Sequence, residues 1–285
     1  MTLFFKHIQL MLFLLRGIGA NVPLSNFTRF CPHMTDSGRT LMNQKSPALW
    51  KALRTISPSL VVDVGSLDGK DAVKFAAAGH RVWTFEPSPA KIKPIWALIH
   101  RSGSNNSVTL HQVALSNYSG SSWFAVKGGG IGDGTDTLLD AYESTPKKGM
   151  RVEVAVRTLD SFAQEDTHIA FMKVDAQGYD YRVLKGAAGL LSRQKIDILV
   201  FEYTPEMMPG RHVEATEHLQ WMQQMGYACA PCNSQWSRVR PSKTAWDIAL
   251  YVDAYWTDKT HTRLRGFDNI VCMPSPRCDD CSMFK

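Results

Sequence analysis

The stretch Leu60-Val-Val-Asp63-Val-Gly65-Ser66-Leu-Asp-Gly69 decides how this chain folds. Leu60–Val64 is a short, mostly apolar and β-branched run, the mark of a buried strand, and Gly65 closes it. The Gly65-x-x-x-Gly69 loop is built of small residues, which lets the backbone approach a ligand and donate N–H groups where a helix begins. Residues 70–78 read as that helix, stopped at Gly79. Arg81–Phe85 is a second strand, ended by Glu86-Pro87. Ser88-Pro89 opens a helix that Pro94 should interrupt or kink and Gly103 should end. Val108–Val113 is a third strand.

The pattern continues downstream. Ser122–Val126 and Val152–Val156 alternate like the strands of an added hairpin. Gly128–Gly134 between them, with Asp133 and nearby Asp136, reads either as a lid or as a hairpin tip. Ile169–Val174 is a fourth buried strand, Tyr179–Ser192 a helix, Ile196–Phe201 a fifth strand ending at Glu202, and Val213–Met225 a helix stopped by Gly226. Ile248–Val252 is expected to be the last strand. Strands alternating with helices imply βαβ units. The expected fold is α/β: a doubly wound, mostly parallel sheet with an inserted β-hairpin, spanning residues 60–255. Residues 31–59 form a helical lead-in, and 256–285 a Cys-containing tail. Trp83, Trp96 and Trp123 are expected in core or hairpin packing.

Composition narrows the function classes. With 44% hydrophobic and 20% charged residues, the chain can build a sizeable core, which excludes a disordered chain or a small disulfide scaffold. Residues 1–60 hold seven Lys/Arg and one acid, Asp36, whereas 61–285 hold 25 of each sign. The body therefore has no basic excess, and no nucleic-acid partner is expected. Residues 3–15 contain ten apolar side chains, too short a run for a membrane span. Residues 1–30 read as a secretory signal or membrane-associating segment, a transit peptide, or an apolar helix packed on the domain. Secretory or membrane-associated placement stands against a cytoplasmic or organellar one. Six cysteines leave three readings open: disulfides, free thiols, or zinc at Cys229-x-x-Cys232 and Cys278-x-x-Cys281, whose separation is too long for a zinc ribbon. Asn26-Phe-Thr, Asn105-Asn-Ser and Asn117-Tyr-Ser are glycosylation sequons.

In a doubly wound sheet, ligands bind at the carboxyl ends of the strands. Those ends carry Asp63, Glu86, Val113-Ala114, Asp175 and Glu202, so acids cluster where a purely structural sheet has no need of them. Glu86 lies 23 residues after Asp63, near the spacing of about 20 at which a carboxylate reaches ribose hydroxyls. The loop lacks the glycine pattern a pyrophosphate prefers, which favours an adenosyl ligand without one.

Five ordered segments resemble the FkbM-type S-adenosylmethionine-dependent methyltransferases: Val62–Gly69, Thr84–Pro87, His111–Asn117, Arg157–Phe162 and Met172–Asp180, with Val183–Gly186 following. Val200–Tyr203 is similar to a sixth. The family often carries Asp-x-Glu-Gly where this chain has Asp175-Ala-Gln177-Gly178. The resemblance implies a Rossmann-like class I methyltransferase fold and S-adenosyl-L-methionine as cofactor. It implies that Asp63, Gly65, Ser66, Gly69, Glu86, Pro87, Val113 and Ala114 contact the cofactor. Glu86 would hold the ribose, and Val113-Ala114 would border the adenine. Asp175 or Glu202 would serve as the base for an acceptor hydroxyl on a small molecule, glycan or lipid; no metal is implied. His111 reads as a strand histidine without a catalytic part. The competing readings are a nicotinamide-dependent oxidoreductase and a catalytically inactive cofactor-binding scaffold.

Overall fold

The computed structural model of the chain describes residues 54, 56–126, 136–139, 150–205, 211–231 and 268–274. Apolar strands β1 (Leu60–Val64), β2 (Arg81–Phe85), β3 (Val108–His111), β8 (Ile169–Val174) and β9 (Ile196–Tyr203) pair in parallel. β11 (Asp268–Pro274) joins β9 antiparallel, and β10 (Tyr227–Pro231) pairs antiparallel with β11. The seven-stranded order is β10-β11-β9-β8-β1-β2-β3, so the winding direction reverses between β1 and β8.

Side chains alternate across the sheet and fill two cores. On one face α1 (Lys70–Ala77) and α2 (Pro89–Arg101) bring Phe75, Ile95 and Ile99 against Val61, Val82 and Phe171. On the other, α3 (Asp180–Lys185), α4 (Ala188–Ser192) and α5 (Arg211–Gln224) bring Leu184, Leu191, Leu219 and Met222 against Val62, Met172 and Leu199. Contrary to expectation, α2 runs unbroken through Pro94, and its buried stripe Lys91, Ile95, Ile99 packs as one face.

Several expectations need correction. The inserted hairpin is part of a four-stranded sheet, in which β4 (Ala114–Leu115), β7 (Met150–Arg157), β5 (Gly120–Val126) and β6 (Thr137–Leu139) lie in the order β4-β7-β5-β6. β3 ends at His111, so Val113-Ala114 leaves the main sheet for the second one. Phe124, Leu138, Val154 and Val156 form the second sheet's own core, which also takes in Tyr179. The helix expected over 179–192 is split in two. Gly186 lies so close to the Ser116 carbonyl that a Cβ would overlap it, and the Gly186 carbonyl accepts from Asp160 N–H at 3.0 Å. Trp83 packs on the core, but Trp96 and Trp123 are each 51% exposed.

The sheet also reaches beyond residue 255, because Asp268–Pro274 of the supposed tail supplies β11. Cys229 and Cys272, facing each other across β10 and β11, form a disulfide. Ile248–Val252, residues 1–53, the Gly128–Gly134 loop, and Cys31, Cys232, Cys278 and Cys281 lie outside the described residues.

Candidate active site

The carboxyl ends of β1, β2 and β8 and the near edge of the second sheet enclose a cleft of about 640 Å³, part of it open to solvent. This is the point where the strand order reverses, the place a doubly wound sheet offers to a ligand. Gly65, Glu86, Pro87, Val113, Ala114 and Asp175 line it. Asp63, Ser66, Gly69 and Glu202 do not.

At the end of β1 the chain turns at Gly65 with φ +80°, and its N–H donates to the Phe85 carbonyl at 3.0 Å. A Cβ on Gly65 would overlap the backbone carbonyl of Asp175. Asp175 N–H in turn donates to the Val64 carbonyl at 3.0 Å, so the ends of β1 and β8 are in backbone contact. Next in the loop, Leu67 takes a left-handed φ of +55°. That strained geometry brings its N–H to Glu86 Oε2 at 3.0 Å, while Ser88 N–H donates to Oε1 at 2.9 Å.

Glu86 is thus a buried carboxylate clamped by two backbone donors, yet it reaches the cleft. Each of its oxygens retains acceptor capacity, which is what a vicinal pair of ribose hydroxyls requires. Burial pushes its pKa up, against the pull of the Lys91 ammonium and the two N–H donors. Lys91 and Asp136 form a buried ion pair at 2.7 Å on the cleft wall and fasten the start of β6 to α2.

Asp63 was expected at the cofactor and instead lies fully buried. Its Oδ2 accepts from Thr84 Oγ1 at 2.9 Å, and its Oδ1 lies 3.5 Å from Lys173 Nζ. The cause is strand alternation, which sends Asp63 to the side of Val61 while Val64 reaches the cleft. Lys173 also lies 3.3 Å from Asp71 and 3.9 Å from Asp175. Burial alone would lower its pKa, but Asp63, Asp175 and Asp71 around it hold it raised. Ser66 is buried beneath the loop, and Gly69 packs on Ile95.

On the cleft wall, Gln177 Nε2 donates to Asp175 Oδ1 at 2.7 Å and to Glu202 Oε2 at 3.2 Å. Glu202 is no candidate for direct proton transfer. β9 continues to Tyr203, so Glu202 sits inside the sheet opposite Asn269 of β11. Burial, with the charges of Asp175 and Asp180, pushes its pKa up to about 9. Asp180 is buried too, accepting from Ala176 N–H and Glu202 N–H at 3.3 Å each. Burial and the Asp175 charge raise its pKa to about 7. Of Asp63, Asp175, Asp180 and Glu202, only Asp175 presents its side to the cleft. His111 stacks on Phe85 at 4.8 Å and abuts Phe162, and it does not itself line the cleft.

The sequence reading assigned no role to Lys91, Lys173 or Asp180, and it named Asp136 and Gln177 without the partners found here. Two of these carry a visible signal. Lys91 stands four residues before Ile95 on an apolar stripe, and Lys173 interrupts a wholly buried strand. A lysine in either place demands a buried carboxylate.

No curated protein matches the chain. Among solved structures, the FkbM methyltransferase of Methylobacillus flagellatus KT is 14% identical with a TM-score of 0.44, over 76% of this chain and 43% of that one. The present chain thus spans less than half of that protein's length. The precorrin-6y C5,15-methyltransferase of Geobacter metallireducens is 10% identical (TM-score 0.39; 84% and 92% covered). The O-methyltransferase TomG of Streptomyces achromogenes is also 10% identical (TM-score 0.38; 79% and 77% covered). The model of the methyltransferase FkbM domain matches residues 63–229, more than half of the sequence. The chain belongs to the FkbM methyltransferase family.

Proposed function

We propose that this protein transfers a methyl group from S-adenosyl-L-methionine to a hydroxyl of a small-molecule, glycan or lipid acceptor. The observation that carries the reading is one cleft holding both a clamped carboxylate, Glu86, and a cleft-facing one, Asp175, on either side of the tight Gly65 turn. The cofactor supplies a methyl group on a positively charged sulfur, a reactive donor that needs alignment more than activation. Glu86 holds the ribose hydroxyls, and the Gly65 turn gives the cofactor close backbone approach. Val113 and Ala114 border the adenine. Asp175 orients the acceptor hydroxyl and takes its proton, with Gln177 bound to its Oδ1 and the Lys173 ammonium 3.9 Å from its Oδ2 holding the carboxylate in place. Phe124, Leu138 and Tyr179 give the cleft apolar walls that exclude water.

Two measurements on the same protein test this. S-adenosylhomocysteine should raise the melting temperature; at about 100 times its dissociation constant, a ligand of the native state adds about 2.7 kcal/mol. Methyl release against glycan, lipid and small-hydroxyl extracts identifies an acceptor. With it, Asp175→Asn should lower turnover by about 10²–10⁴-fold while leaving cofactor affinity nearly intact. No thermal shift at millimolar ligand sinks the cofactor; normal turnover in Asp175→Asn sinks the base.

A further inference from the structure

We infer that Asn105 and Asn117 carry N-linked glycans and that the chain matures in an oxidising, glycosylating compartment. Two kinds of observation meet here, and neither depends on the methyltransferase reading. The first is the placement of two sequons. Asn105-Asn-Ser107 occupies the turn between α2 and β3, where Ser107 N–H donates to the Ser104 carbonyl at 2.9 Å and both asparagines are exposed. Asn117-Tyr-Ser119 occupies the bend between β4 and β5, with all three residues exposed and Tyr118 at 42%. The middle residue is not proline in either case, and short exposed turns are where a bulky hydrophilic group adds no packing conflict.

The second observation is covalent. Cys229 and Cys272 are joined inside the main core, Cys272 fully buried and Cys229 nearly so. A glutathione-reduced compartment keeps such thiols apart, whereas the secretory lumen oxidises them. The lumen is also where asparagine glycosylation occurs. A surface sequon arises often by chance, but a core disulfide on the same chain selects the compartment in which that sequon is read.

The position of Asn105 is compatible with function. Asn105 precedes β3, at the end of the sheet opposite the cleft, so a glycan there leaves the cofactor entrance clear. The reaction requires a lipid-diphosphate-linked oligosaccharide as co-reactant. The asparagine amide nitrogen bonds to the anomeric carbon, the bond from that carbon to the diphosphate oxygen breaks, the lipid diphosphate leaves, and the amide proton is lost.

The test is expression of the full chain in cultured eukaryotic cells, followed by peptide N-glycosidase treatment and peptide mapping. The expected result is a mobility increase on treatment, with Asn105 and Asn117 each converted to Asp. Asn105→Gln and Asn117→Gln should each remove one mobility step, and Ser107→Ala and Ser119→Ala should do the same while keeping the asparagines. Mapping without reductant should recover the Cys229–Cys272 peptide pair. Absence of glycan at both asparagines, or free alkylation of both cysteines in the folded protein, overturns the inference. Glycan at one position alone overturns the assignment of the other.

Discussion

Gly65 sits where two strand ends touch. Its left-handed φ costs an alanine about 1–2 kcal/mol, and the added methyl would also meet the Asp175 carbonyl. Gly65→Ala should therefore push the loop off β8 and lower S-adenosylhomocysteine affinity at least about tenfold by calorimetry, the equivalent of about 1.4 kcal/mol. Gly103→Ala, at a turn with open space around it, should leave affinity unchanged. Glu202 yields a prediction of opposite character. Its folded-state pKa stands above the ordinary carboxylate range, at about 9. The unfolded chain therefore releases a proton that the native state keeps, and stability falls as pH rises from about 4.5 toward 9. Glu202→Gln stays neutral and can still accept from Gln177. Melting curves from pH 5 to 9 should flatten in this variant, with a higher melting temperature than the parent at pH 8; parallel curves would refute the protonated state. Gly65, Glu86 and Asp175 were legible in the sequence because each ends a strand. Gln177 and Asp180 were not, because their importance lies in bonds to Glu202, 25 and 22 residues onward.

At the scale of elements, the segment Arg157–Phe162 matched the family by sequence, but its work is architectural. Asp160 Oδ2 accepts from Gly189 N–H at 2.7 Å and Oδ1 from Leu190 N–H at 3.0 Å. The carboxylate thus caps the first turn of α4, binding donors that the short helix cannot satisfy itself. Asp160→Ala should cost about 1–2 kcal/mol in denaturant unfolding and leave cofactor affinity unchanged. Weakened binding with unchanged stability would move Asp160 to the active site. The same bond explains why the break between α3 and α4 was invisible to periodicity: apolar residues recur straight through 179–192, and the group that ends one helix and starts the next is 29 residues upstream. β4 and β6, at two and three residues, are too short to show alternation at all. The five parallel strands, by contrast, run four to eight residues and read as apolar stretches closed by turn residues or acids.

For the whole molecule, the decisive surprise is where the sheet closes. The chain leaves β10 at Pro231 and returns at Asp268 to place β11 between β9 and β10. Local sequence gives no warning of this, because the strand that completes the sheet belongs to a stretch read as a tail. Such an insertion pairs strands far apart in sequence, and closing that loop carries an entropic cost in folding. The Cys229–Cys272 disulfide spans 43 residues and removes that cost from the unfolded chain. In the chain-entropy model a loop of this length is worth about 4 kcal/mol. The double variant Cys229→Ala/Cys272→Ala should therefore lose about 2–5 kcal/mol in unfolding, some of it from the two small core gaps left by the sulfurs. Reductant should lower the stability of the parent toward that of the variant and move the variant much less. That second comparison separates the crosslink from the packing, since the gaps are present in the variant under both conditions. Identical unfolding of the parent with and without reductant, with the thiols verified as free, would show that β11 holds its place through the sheet alone.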